Sequence, residues 1–174
     1  KENLAQEIYI LMESWGKTPV IAKDVPGFIV NRIARPFYGE ALRIAEENIA
    51  TPEQIDDAMR TLGNFRMGPF ELMDLIGIDI NFSVTKTVYA DYFYDPKYKP
   101  SLLQQRMAEA KLLGRKTGKG FYEYWEGSEK PFPEKDDELY HTIFSRIISM
   151  LINEAVEAKR LGIANDEDLE LAMQ

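Results

Sequence analysis

The chain has 174 residues, of which 45% are hydrophobic and 29% charged, with a net charge of -8 and no cysteine, a globular composition that can bury a core in one generous domain or two small ones. The negative balance argues against nucleic-acid binding, and the absence of thiols excludes disulfides, thiolate catalysis and cysteine-ligated zinc. No apolar run approaches a membrane span and residues 1–20 lack a signal-peptide layout, so a cytoplasmic protein with no membrane partner is expected.

Lys1 opens directly into a helical pattern, and a piece of a longer protein is expected. Asn3 with Gln6 has capping-box spacing, and Leu4, Ile8, Leu11, Met12 and Trp15 follow on one face before Gly16. The short apolar run Pro19 to Ala22 suits a buried strand, which with the first helix makes half of an α/β unit whose sheet is missing. Asp24 is placed to cap a helix from about Val25 to Asn48, with Pro26 in its first turn. Its stripe runs Ile29, Ile33, Phe37, Ala41, Ala45, with Asn31 off the stripe, and Pro36 predicts a bend one turn beyond Asn31.

Thr51-Pro52-Glu53-Gln54 restarts the chain with cap, proline and capping-box glutamine, and Gly63 closes that helix. Further helices are predicted over 67–77 and 79–92 and from the Ser101/Gln104 capping signature to Gly114. Gly114 to Gly120 is a tight basic turn, Phe121 to Tyr124 alternates as a short strand, and 126–136, rich in charge and proline, reads as a linker. Beyond it the sequence repeats itself at a constant offset of 114: Arg32/Arg146, Ile33/Ile147, Glu40/Glu154, Ala41/Ala155, Ile49/Ile163, Ala50/Ala164, Glu53/Glu167, Ala58/Ala172 and Met59/Met173 are identical. The second copy carries Ser145 where the first has Asn31 and runs to Gln174, where the first continues with Arg60.

Little in this inventory carries chemistry. His141 is the only histidine and has no second ligand nearby, which favours a surface or packing role. The Gly114 to Gly120 turn lacks Walker spacing, and no G-x-G-x-x-G occurs. Asn31 alone invites two readings, an ordinary exposed helical asparagine or a neutral amide that orients a polarised acyl group.

Four blocks bear on that choice: Pro26 to Arg32 (PGFIVNR), Glu53 to Met59 (EQIDDAM), Met67 to Asp74 (MGPFELMD) with Gly77 and Asp79, and Gly114 to Tyr122 (GRKTGKGFY). In order and spacing they resemble the carboxy-terminal domain of 3-hydroxyacyl-CoA dehydrogenases, including 3-hydroxybutyryl-CoA dehydrogenases, over about residues 17–124. The resemblance implies an all-α, multi-helix domain, similar to the C-terminal domain of 6-phosphogluconate dehydrogenase, behind a helix-strand remnant of a Rossmann domain. On that basis 1–24 are the tail of a missing NAD-binding domain and 25–125 the helical substrate and dimerisation domain, followed by the linker 126–136 and an incomplete second helical copy over 137–174. It implies NAD-dependent interconversion of (3S)-3-hydroxyacyl-CoA and 3-ketoacyl-CoA, in β-oxidation or short-chain acyl-CoA metabolism, by an enzyme that is a homodimer through its helical domain. The family's substrate-cleft asparagine falls on Asn31, with Gly27 and Phe28 as further substrate-binding residues; no metal ligand and no cofactor-binding residue is expected in this chain. Since the family's catalytic histidine and glutamate belong to the amino-terminal domain, the chain alone is expected to be inactive. A helical oligomerisation module and the helical half of another hydroxyacid dehydrogenase are the alternatives.

Overall fold

The structure is a computed structural model that describes residues 2–173, with side chains from Leu4 onward. The described residues form nine α-helices and no strand: α1 (Glu2–Ser14), α2 (Val30–Ile33), α3 (Arg35–Glu46), α4 (Pro52–Gly63), α5 (Pro69–Ile76), α6 (Ile78–Asp91), α7 (Leu102–Glu109), α8 (Asp137–Arg160) and α9 (Asp166–Met173). Capping side chains set four of these starts. Thr51 and Gln54 form the reciprocal box of α4, at 3.3 and 3.1 Å. Ser101 accepts from the Gln104 amide at α7, Asp136 from that of Leu139 at α8, and Asn165 from that of Asp168 at α9. The expected Asn3 cap lies outside the described side chains, and its backbone is already within α1.

Four expected elements differ. Pro19 to Ala22 has no regular secondary structure and is not a strand; with no sheet to join, the segment lays Val20, Ala22 and Val25 on the apolar cluster of Ile29, Ile33, Ala158, Ile163 and Leu169, and the Lys23 amide donates to the Ile163 carbonyl at 2.7 Å. The helix expected from Val25 begins at Val30, because residues 26–29 make a turn through positive φ at Gly27 and Phe28. Asp24 therefore caps nothing, and no side chain caps α2. The bend expected from Pro36 is a full break at Ala34 that separates α2 from α3. Helix α7 stops at Glu109 instead of reaching Gly114, with Lys111 at φ +61°, and Phe121 to Tyr124 forms only an isolated bridge, between Lys119 and Glu123.

Helix α8 is the axis of the packing, lying against α3 and α4 and touching α2. Tyr140, Ile143 and Ile147 of α8 are buried in the same core as Phe37, Leu42, Ile44, Ile55, Met59, Phe70 and Met73. A second core joins Ile29 and Ile33 to Ala158, Ile163 and Leu169. At the offset of 114 those residues correspond to Ile143, Ile147, Ile44, Ile49 and Ile55; all but the exposed Ile49 belong to the larger core, so the smaller repeats part of it with the copies exchanged. The ion pairs obey the same exchange. Arg32 Nε donates to Glu154 at 2.5 Å and Arg146 Nε to Glu40 at 2.7 Å, each arginine reaching across to the glutamate of the other copy. That reciprocity is what a two-fold axis imposes, and here it relates two halves of one chain.

Candidate functional site: an asparagine at an open groove

The turn before α2 fixes the surroundings of Asn31. Phe28 N donates to the Val25 carbonyl at 3.0 Å, and the chain passes through Gly27 at φ +78° and Phe28 at φ +46°. Glycine is required at 27, since a Cβ there would lie 3.1 Å from the Arg32 nitrogen and 3.2 Å from the Asn31 carbonyl carbon. Phe28 has no such freedom; its left-handed backbone costs on the order of 1–3 kcal/mol, yet its side chain is left 57% exposed. A groove of about 440 Å³ is lined by Gly27, Phe28, Val30 and Asn31 with Val20, Ala22 and Ala172. The three predicted site residues thus meet at one opening, with Asn31 exposed to it.

Behind Asn31 sits a polar cluster that helical spacing alone does not announce. Arg35, one turn on and only 4% exposed, donates from Nη2 to Asn31 Oδ1 at 3.2 Å and from Nε to the Asn31 carbonyl at 3.4 Å. Its Nη1 reaches Asn81 Oδ1 at 3.4 Å and Thr85 Oγ1 at 3.2 Å, both on α6. Burial pulls the guanidinium pKa below its usual value, with Tyr38 acting the other way. Since Oδ1 of Asn31 is engaged by a cation, its amide hydrogens are what it offers the groove.

The other predicted motifs are built for the fold. Asp56 of α4 accepts from the Phe70 and Glu71 amides at the start of α5, both at 2.9 Å, and from the Tyr122 hydroxyl at 2.8 Å. Burial pushes its carboxyl up to about 7 against the pull of those donors. Asp74 accepts from the Phe121 and Tyr122 amides at 3.0 and 2.9 Å and from the Tyr124 hydroxyl at 3.0 Å. Gly120 and Gly114 press on it so closely that added Cβ atoms would stand 2.0 Å from its Oδ1 and 2.3 Å from its backbone oxygen. The basic glycine turn therefore wraps a carboxylate of its own chain. His141 is exposed on α8 and lines an open groove with Thr142, Ser145 and Ser149; among the described residues there is no cluster of histidine and acidic side chains suited to a metal ion.

Comparison with known proteins sets this geometry in a family. Residues 27–124 match the family model described as 3-hydroxyacyl-CoA dehydrogenase, C-terminal domain. The chain belongs to the 3-hydroxyacyl-CoA dehydrogenase family. It is 47% identical over 121 residues to 3-hydroxyadipyl-CoA dehydrogenase of Escherichia coli, covering 70% of this chain and 26% of that protein. To a probable 3-hydroxybutyryl-CoA dehydrogenase of Deinococcus radiodurans it is 44% identical over 112 residues, 64% of this chain and 40% of the other. Among solved structures, 3-hydroxybutyryl-CoA dehydrogenase of Escherichia coli superposes with a TM-score of 0.87 at 28% identity, over 99% of this chain and 55% of that one. The chain thus spans from about a quarter to about two fifths of the length of these two sequence relatives.

For the 3-hydroxyacyl-CoA dehydrogenase domain the family match covers the last three motif blocks whole and the first from Gly27 onward, and the solved structure extends the likeness through α1 and the second copy. Arg35, Asn81 and Thr85 escaped the sequence reading because an arginine beside Pro36 looks like surface until α6 covers it. Arg32, 1% exposed, carried a usable signal in its identity with Arg146.

Proposed function

We propose that this chain is the helical half of an NAD-dependent 3-hydroxyacyl-CoA dehydrogenase, located in the cytoplasm, that interconverts (3S)-3-hydroxyacyl-CoA and 3-ketoacyl-CoA. The observation that carries the reading is the exposed Asn31 amide at the mouth of an apolar groove, its oxygen tied to Arg35 and its hydrogens free to donate to the thioester or C3 oxygen of an acyl-CoA. Gly27 and Phe28 line the same groove and would contact the acyl group.

The residues present do not fit a dinucleotide. The sequence has no G-x-G-x-x-G, and the amides of Phe121 and Tyr122 that close the Gly114 to Gly120 turn are spent on Asp74. NAD and the acid/base pair implied by the resemblance are therefore assigned to an amino-terminal domain, and this chain alone is expected to be inactive. The placement of α1 supports that arrangement, for Leu4, Ile8 and Trp15 are 60%, 48% and 64% exposed, a face suited to covering by further protein. A homodimer through the helical domain, also implied by the resemblance, would need the surface of α3 and α4 that α8 covers, so the reading favours that contact being made within the chain.

The test is NADH formation by the chain joined to its nucleotide-binding domain, with (3S)-3-hydroxybutyryl-CoA and free 3-hydroxybutyrate compared at equal concentration. Turnover of the thioester with little of the acid is expected, and none from this chain alone; equal rates on both would overturn the acyl-CoA reading.

A further inference from the structure

Arg35 is the first residue of α3, beyond the break at Ala34, and its side chain turns back across that break to α2. Both contacts there are with Asn31: Nε donates to its carbonyl at 3.4 Å and Nη2 to its Oδ1 at 3.2 Å. A guanidinium donates and never accepts, so this contact fixes which end of the Asn31 amide is which. The oxygen must face Arg35, and Nδ2, without a hydrogen-bond partner among the described residues, is left to the groove that Asn31 lines.

The guanidinium is itself held from behind. Its Nη1 donates to Asn81 Oδ1 at 3.4 Å and to Thr85 Oγ1 at 3.2 Å. Thr85 gives its own hydrogen to the Asn81 carbonyl at 2.9 Å, and Gln104 Nε2 also reaches Asn81 Oδ1 at 2.9 Å, so both oxygens are locked as acceptors. Among the described residues Arg35 makes no ion pair, only a ring contact with Tyr38 at 5.2 Å. Arg32, buried as deeply, has Glu154 at 2.5 Å. A buried cation without a counter-charge is costly to a fold, but a carboxylate beside Arg35 would cancel its field at Asn31. The repeat sorts the two arginines accordingly: Arg32 and Glu40 recur as Arg146 and Glu154, whereas Asn31 and Arg35 are replaced together, by Ser145 and Ser149.

We infer that Arg35 is a positioning residue, which locks the Asn31 amide with its hydrogens towards the substrate and, through its unbalanced charge, makes them stronger donors to an acyl oxygen. The inference rests on the dehydrogenase reading and deepens it, since it says why the Asn31 amide is effective and why Ser145 has no counterpart of Arg35 behind it. A cation behind the donor accelerates the reaction only where the acceptor becomes more negative on the way to the transition state, as oxygen at C3 does when hydride passes between C3 and nicotinamide. Arg35 itself never touches the substrate; Asn81 and Thr85 of α6 keep it in register.

The experiment is a double-mutant cycle on NADH formation from (3S)-3-hydroxybutyryl-CoA by the chain joined to its nucleotide-binding domain, with Asn31→Ala and Arg35→Met alone and together. Arg35→Met is expected to lower kcat on the order of tenfold, as loss of a group that orients a reacting residue does, with KM within about twofold, and to cost nothing further in Asn31→Ala. Equal losses in both backgrounds would mark a merely structural arginine and overturn the assignment, as would an unchanged kcat. Arg35→Lys, which keeps the charge, should recover part of the loss; if it is no better than Arg35→Met, the part played by charge is overturned. If Arg35→Met does not fold, Thr85→Val decides, since it removes one Nη1 acceptor: a loss of at least about threefold that vanishes in Asn31→Ala supports the inference, and any other result overturns it. Acetoacetyl-CoA labelled with carbon-13 at C1 or at C3 is bound alongside and followed by infrared spectroscopy. A carbonyl stretch lowered on binding and restored towards its solution value in Arg35→Met supports the inference even where no NADH forms, an outcome that overturns the dehydrogenase reading alone. An unshifted stretch, an equal shift in Arg35→Met or failure to bind overturns the inference.

Discussion

Asp56 shows how much of the motif chemistry is structural. Its two oxygens satisfy two amides at the start of α5 and a tyrosine hydroxyl that otherwise have no partner, so Asp56→Ala should cost about 3 kcal/mol, read as a shift in the urea midpoint. The same residue should imprint a pH dependence. Its carboxyl is raised from 3.8 to about 7 by burial, so the folded state binds its proton more tightly than the unfolded one. Its contribution is therefore fully present below about pH 4 and is lost as pH rises towards 7, by up to about 4 kcal/mol. Glu71, held low by Lys130 and Arg60 against its own burial, acts oppositely and loses its contribution on acidification. Unfolding free energies between pH 4 and 7 should fall in the parent chain and flatten in Asp56→Asn; parallel curves would contradict the assignment. None of this was legible in EQIDDAM as a sequence, since the burial of Asp56 is created by α5 and Tyr122. Asn31 was legible as a candidate, but Arg35 behind it was not.

At the scale of elements, local signals predicted what local physics decides. Thr51 and Ser101 cap helices as their spacing foretells. The failures lie where tertiary context rules: Pro19 to Ala22 has strand composition but no sheet to complete it, and Pro26 sits in a turn because Gly27 and Phe28 adopt positive φ. The Gly114 to Gly120 turn and α5 form a second unit of this kind, a loop closed on the carboxylate of Asp74. Gly120→Ala places a methyl 2.0 Å from Asp74 Oδ1, which must drive turn and helix apart. A loss of at least about 2 kcal/mol is expected by chemical denaturation, against less than about 1 kcal/mol for Gly39→Ala, where added bulk meets nothing within 4 Å. Equal effects would contradict the close fit.

For the whole molecule, the repeat was visible in the sequence but its consequence was not. The second copy is folded into the first, with α8 completing the core of α3 and α4 and the Arg32–Glu154 and Arg146–Glu40 pairs related by exchange of copies. A chain ending after Trp125 would lose α8 and expose that face. It should recover the contact by pairing with a second molecule through Arg32 and Glu40 in both directions, giving a dimer by light scattering. Arg32→Glu should break that dimer and the further change Glu40→Arg restore it; a truncated monomer as stable as the full chain would contradict the exchange. What the two copies do not share is Asn31, and the account stands or falls there. The decisive measurement is kcat/KM for (3S)-3-hydroxybutyryl-CoA in the chain joined to its nucleotide-binding domain, with and without Asn31→Ala. A loss of roughly a hundredfold with stability held within about 1 kcal/mol is predicted, whereas unchanged turnover and KM would show that the amide at the groove takes no part in the reaction.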